Sequence, residues 1–298
     1  MIWRFTDGKP GHEGQSEGLA NALAERLAVQ VHTLAPPSAL HAAAYWFNRR
    51  FPPARACPDP DLLVGAGHAT HLPMLAARRA RGGHIVVLMR PSLPCAWFDL
   101  CVIPEHDRPD PAANVLTTRG ALNRITETGP KEAGLGLLLI GGPSAHYGWD
   151  EGRLAEQVRT VAAGDGRHWR LTTSRRTPRS TVQRLRNLGL RNLEVVPAEQ
   201  TGPNWLPRQL ARAPTAWVTA DSVSMVYEVL TAGAACGLLE VPARRASRVG
   251  EGVQQLVADG WVTPFGAWRS GEALASPPAE FNEARRCARW IHEHLLGP

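Results

Sequence analysis

The chain has 298 residues, 44% of them hydrophobic and 20% charged, with a net charge of +6. That length suits about two domains, and the apolar share supports a core in each and excludes extensive disorder. No run of 18 apolar residues is present, which excludes a membrane-spanning helix. The start Met1-Ile2-Trp3-Arg4 has no leader pattern, so a cytoplasmic location is expected.

The chain reads as strand, glycine-bearing loop and amphipathic helix in repetition. Strands are predicted over 2–5, 29–34, 61–65, 85–89, 100–103 and, more weakly, 115–118. Helices are predicted over 15–27, with Leu19, Leu23 and Leu27 on one face, and from about 71 through 81. Residues 126–134 are polar and rich in Gly and Pro, and read as a linker. The pattern then restarts with strands over 135–140, 169–173, 193–196, 216–219 and 236–241. Helices are expected over 150–163, from Pro178 to about 188, and over 205–213, 222–232, 250–259 and 282–296. Such alternation predicts an α/β fold with parallel sheets covered on both faces. It divides into a Rossmann-like domain over 1–130, a second over 131–280, and a C-terminal helix over 281–298.

In such sheets ligands bind at the carboxyl ends of strands, so the loops there are the candidate sites. The first holds Asp7, Lys9, Gly11 and His12, where Asp7 or His12 could serve as a base and Lys9 could hold a phosphate. A plain Gly-rich turn in which Asp7 bonds its own loop is the alternative. The second holds Gly67, His68 and His71; no acid or thiol completes a metal set, so no metal is expected. Glu105, His106 and Asp107 follow a later strand, either as a base and its orienter or as a capped turn.

In the second half, Gly141, Gly142 and Ser144 follow the most apolar strand and suit the approach of phosphate to backbone amides. Ser174, Arg175, Arg176 and Thr177 offer hydroxyls and guanidinium forks for a diphosphate. Asp221 or Ser222 can cap the helix that carries Ser224, Met225 and Glu228, with Glu228 placed to accept from ribose hydroxyls. The stretch Tyr45-Trp46-Phe47-Asn48-Arg49-Arg50-Phe51 reads either as a helix with buried aromatics or as a contact with an anionic membrane surface. No nucleic-acid-binding module is recognisable. The five cysteines form no C-x-x-C pair and fit reduced thiols.

The stretches DGKPGHEGQ, GAGHATH, PEHD, TRGALNRI, IGGPS, TTSRRTP and TADSVSMVYEVL, in this order and spacing, resemble the bacterial branch of the Elm-type mitochondrial fission family. That family in turn resembles sugar-nucleotide glycosyltransferases of the GT-B fold. The resemblance implies two Rossmann-like domains facing a cleft, with a nucleotide-sugar donor held by the C-terminal half and the acceptor by the N-terminal half. It implies no cofactor and no metal, because Arg, hydroxyls and helix ends neutralise the leaving diphosphate. By it, Ser174, Arg175, Arg176, Ser222, Ser224 and Glu228 grip the donor, and Gly11 and His12 resemble the first loop of the peptidoglycan lipid-intermediate N-acetylglucosaminyltransferase. The acceptor side would comprise Lys9, Gly11, Gly67, His68, Glu105 and His106. A lipid-linked or envelope glycan acceptor, met at the inner face of the membrane, is the expected partner. Plant members of the family act as adaptors at the mitochondrial surface, so a non-enzymatic adaptor is a second expectation and a nucleotide-sugar epimerase a third.

Overall fold

The computed structural model describes residues 1–126, 129–244 and 248–297. Glu127 and Thr128 of the expected linker, and Pro298 of the expected C-terminal helix, lie outside the described residues. The chain divides into two compact units: Met1–Arg124 together with the chain from Asn282 onward, and Ile125–Phe281. The division falls between residues 124 and 125 rather than at 130, and the C-terminal helix belongs to the first unit rather than standing apart.

Among the described residues, each unit is built on a six-stranded sheet whose strands are all parallel. The first unit has β1 (Ile2–Phe5), α1 (Pro10–Arg26), β2 (Val31–Leu34), α2 (Ala39–Asn48), β3 (Leu62–Ala66), α3 (His71–Arg81), β4 (His84–Leu88), β5 (Leu100–Pro104) and β6 (Val115–Thr118). Its strand order is β2-β1-β3-β4-β5-β6. Strands β3 and β5 are buried along their whole length, as apolar strands covered on both faces must be. Alternate residues serve opposite faces. Val64 and Val86 pack with Leu19 and Leu23 of α1, whereas Leu63, Ile85 and Val87 pack with Trp3, Phe5 and Met74.

The second unit has β7 (Leu135–Ile140), α4 (Glu151–Ala163), β8 (His168–Thr173), α5 (Arg179–Arg186), β9 (Leu193–Val196), α6 (Trp205–Arg212) and β10 (Thr215–Thr219). It continues through α7 (Val223–Thr231), β11 (Ala235–Leu239), α8 (Arg248–Ala258), β12 (Val262–Pro264) and α9 (Phe265–Arg269). Its strand order is β12-β11-β10-β7-β8-β9. The chain then returns to the first unit as α10 (Glu283–Ile291), which packs along α1 and ends in a π-helical turn, His292–Leu296.

Several expectations are corrected. Helix α1 starts at Pro10, not at residue 15, because proline is preorganised for the first helical position. Gly11 and His12 therefore sit in a helical turn rather than in a loop. The stretch at 45–51 is split: Tyr45–Asn48 end helix α2, whose start is capped by Ser38, and the helix closes at Arg49 in the left-handed region (φ 52°). The short elements β12 and α9 were not anticipated. No helix among the described residues is long and apolar enough to cross a membrane.

These strand orders locate the sites. Successive connections run to opposite sides of β1 and β3 in the first unit, and of β7 and β10 in the second. The carboxyl ends of those neighbouring strands diverge into loops at each reversal, and ligand crevices open there.

Candidate functional site

At the reversal in the first unit, the turn after β1 carries Asp7 and the first turn of α1 carries His12. The imidazole Nδ1 lies 2.9 Å from Asp7 Oδ2. The backbone N–H of Lys9 donates to Asp7 Oδ1 at 3.2 Å, and the Lys9 ammonium stands 3.8 Å from Oδ2. The carboxylate is 4% exposed, the imidazole 19%. Burial pushes the Asp7 carboxyl up, but the hydrogen bonds from His12 and Lys9 and the nearby positive charge outweigh it and hold the group below its ordinary value. An ionised carboxylate only accepts, so Nδ1 is the donor, and in the neutral imidazole the lone pair lies on Nε2. The adjoining loop after β3 brings Gly67 against this pair. Its φ is +84°, and a Cβ there would sit 2.5 Å from His12 Nδ1 and 3.0 Å from Asp7 Oδ2. Only glycine leaves room for the dyad.

The other residues expected on this side are dispersed. His68 is exposed beside Gly67, and Gly11 lies on α1 with open space around it. Glu105 and His106 form a short turn after β5, three strands from β1, which is about 14 Å across a sheet. No hydrogen bond joins Glu105, His106 and Asp107 among the described residues, so the base-and-orienter arrangement weighed for that turn does not form. Glu105 instead adds to the negative field at Arg286, whose guanidinium is held chiefly by Glu283.

His71 is buried at the start of α3, its ring against Phe98 and its Nδ1 3.3 Å from Ser92 Oγ. Burial, and then the neighbouring His68, push its pKa down to about 4. Folded His71 stays neutral where an unfolded histidine, near 6.5, takes a proton. Its contribution to stability is whole above pH 6.5 and is lost as the pH falls to 4, in all about 3 kcal/mol. Urea unfolding across that range is expected to show this slope in the native chain and to lose it in His71→Leu; equal slopes would exclude His71 as the source.

At the reversal in the second unit, Thr219 at the end of β10 accepts from the Gly141 N–H at 2.7 Å. Asp221, whose side chain is 0% exposed, accepts from the Gly142 N–H at 2.9 Å and from Arg176 Nη2 at 2.8 Å, both on Oδ2. Its Oδ1 is buried with no hydrogen-bond partner among the described residues. Arg176 Nη1 donates to the carbonyls of Gly142 at 2.6 Å and Pro143 at 3.3 Å. A Cβ on Gly141 would fall 2.2 Å from Asp221 Oδ2, so the carboxylate can close over this loop only because the side chain is missing. The amides of Gly141 and Gly142, expected to face a phosphate, are thus occupied within the protein, and so is the Arg176 fork.

The hydroxyls nearby also serve their own loops. Ser144 Oγ accepts the amides of His146 and Tyr147 at 3.2 Å each. Ser174 Oγ accepts from the Arg176 N–H at 3.1 Å, and Thr177 Oγ1 accepts from the Ser174 N–H at 2.9 Å. What faces outward is Arg175, which has no polar partner among the described residues, and the start of α7. Ser222 makes no side-chain cap there, Ser224 is exposed, and Met225 and Glu228 are partly exposed, with Glu228 one turn beyond Ser224. Two participants were not singled out from sequence. One is Thr219. The other is Tyr147, whose phenol is pushed up by burial and then by the charge of Asp221. A hollow of about 330 Å³ between α4 and α9, lined by Arg153, Gln157, Glu240 and Arg269 among others, contains none of the expected residues.

Two parallel sheets, each gathering its polar residues where the strand order reverses, define a two-domain α/β protein of the GT-B-like fold. The chain belongs to the mitochondrial fission ELM1 family, whose model matches residues 10–295. A Listeria monocytogenes protein assigned as a UDP-N-acetylglucosamine 2-epimerase shares the fold with TM-score 0.61 and 11% identity, over 98% of this chain and 96% of that one. The Neisseria meningitidis UDP-GlcNAc 2-epimerase, solved bound to UDP-GlcNAc, gives TM-score 0.53 and 9% identity over 99% and 98%. The lipopolysaccharide outer core galactosyltransferase WaaB gives 0.44 and 11% over 97% and 99%. No curated protein matches the sequence.

Proposed function

We propose that the chain moves a sugar from a nucleoside diphosphate to an acceptor hydroxyl, with His12 as the base. The observation that carries this reading is the Asp7–His12 pair, its carboxylate buried and its imidazole partly exposed, hydrogen-bonded and walled by Gly67 at a strand reversal. His12 Nε2 takes the proton of the acceptor hydroxyl, and Asp7 stabilises the imidazolium that forms. The acceptor oxygen bonds to the anomeric carbon while the bond from that carbon to the diphosphate oxygen breaks. The leaving diphosphate takes the electron pair, and Arg175 and the free amides of α7 neutralise it. Glu228 accepts from the ribose. Arg176 and Asp221 shape the donor loop rather than touch the ligand. The acceptor in this reading is a lipid-linked or envelope glycan.

The sugar-nucleotide class is supported by the Neisseria structure, which holds UDP-GlcNAc. The same neighbours support a second reading, 2-epimerisation, since an oriented imidazole serves that chemistry too. Titration calorimetry with UDP-sugars is expected to show a Kd of about 1 mM or tighter, and Arg175→Ala to weaken it by about 1.5 kcal/mol. Transferase chemistry releases UDP only when an acceptor is added; an epimerase changes the sugar alone. Absence of nucleotide binding at several-millimolar concentration overturns both and leaves the adaptor.

A further inference from the structure

We propose that the outer face of α2 and α3 docks the first unit on an anionic lipid bilayer. Leu40 is 85% exposed and Phe47 74%, seven residues apart and so on one face of α2. Leu72 on α3 and Trp97 are also exposed. The two helices adjoin. α2 packs along α3; the ring of Phe47 meets that of Trp46 edge-on at 5.1 Å; the Arg79 guanidinium lies 4.1 Å over Trp46; and Arg78 donates to the Trp97 carbonyl at 3.0 Å.

Charge selects the occupant. Residues 35–58 and helix α3 contain no Asp or Glu. Arg49 and Arg50 are exposed at the end of α2, and their guanidinium groups have no partner among the described residues. An exposed helix face with Leu and Phe along it and, at its end, arginines without a partner among the described residues matches the boundary of a bilayer. There, acyl chains receive the apolar side chains, and arginines reach lipid phosphates and carboxylates with their stems along the apolar surface. The proposal does not rest on the nucleotide chemistry, so either inference can fail alone.

The test uses the full chain and sucrose-loaded vesicles of phosphatidylcholine, with or without about 30% phosphatidylserine. Sedimentation is expected with the anionic vesicles, much less with the neutral ones, and to fall steeply with salt. Arg49→Gln with Arg50→Gln is expected to weaken binding about 25-fold. Leu40→Ser with Phe47→Ser is expected to weaken it at least about tenfold. All four side chains are exposed, so the thermal transition should not move. Equal binding to neutral vesicles, no binding to anionic ones, or indifference to both double variants overturns the proposal. Self-association in ultracentrifugation that Leu40→Ser with Phe47→Ser abolishes would assign the face to a second copy instead and overturn it equally.

Discussion

Replacing Arg176 by alanine lowers the stability of the second unit by about 3 kcal/mol, far more than the loss of a half-exposed side chain would suggest. The reason lies in Asp221. Its carboxylate is fully buried, one oxygen has no partner among the described residues, and the other relies on the Gly142 amide and on Arg176. Without the guanidinium a buried charge is left uncompensated, which costs about 3–5 kcal/mol when no solvent reaches it. Because Arg176 itself is 44% exposed, screening puts the expected value at the lower end. The same fork also ties the carbonyls of Gly142 and Pro143, and Arg176→Lys cannot span all three acceptors. The double variant Arg176→Ala, Asp221→Asn removes the charge as well and is expected to regain about 1–2 kcal/mol. Arg175→Ala, next along the chain and without a polar partner among the described residues, should stay within about 0.5 kcal/mol of the native chain. Urea unfolding followed by tryptophan fluorescence measures these four and Asp221→Asn alone; if the Arg176→Ala and Asp221→Asn effects simply add in the double variant, the two side chains are not coupled.

Those two adjacent arginines also mark how far the sequence could be read. Arg175 and Arg176 are the same residue in the same loop, and nothing local separates the exposed one from the one clamped to Asp221. Strands were legible because runs such as Leu135–Ile140 are apolar throughout, and the sites were placed at strand ends because parallel sheets require it. Which loops meet was not legible. Asp7 reaches Gly67 because β3 lies beside β1, and Gly142 reaches Asp221 because β10 lies beside β7. Glu105 and His106 have the same chemistry at the same kind of strand end, yet lie three strands away. Glycine misled the reading of α1: Gly11 and Gly14 argue against helix by about 1 kcal/mol each, and packing of the helix against β1, β3 and α10 overrides them. For helix α2 only the final turn was read, as one alternative for residues 45–51 and with its aromatics buried; its apolar residues, Leu40 and Phe47 among them, line an outer face and so give no core-facing period.

The largest effect expected on activity falls on the dyad. In the transfer reading, His12→Ala lowers kcat about 10³-fold, with little change in KM for the donor, because the base acts on the acceptor proton and not on the nucleotide. Asp7→Asn should be nearly as damaging although it keeps size and shape. The carboxylate, held ionised by His12 and Lys9, keeps the proton on Nδ1 and the lone pair on Nε2. A carboxamide can instead donate to Nδ1, which moves the ring proton to Nε2 and leaves nothing to accept from the acceptor hydroxyl. Gly67→Ala reaches the same end from the opposite wall. Its methyl group would fall 2.5 Å from Nδ1, so the imidazole must turn away while His12 itself is intact, and a loss of at least about 10²-fold follows. Lys9→Gln is the control within the same turn: its side chain is 59% exposed and its ammonium 3.8 Å from Asp7, and its removal should change kcat by less than about threefold. UDP release measured at saturating donor and acceptor separates these outcomes. If Asp7→Asn and His12→Ala both retain activity near that of Lys9→Gln, the buried pair is a structural tie and the proton acceptor must be sought elsewhere.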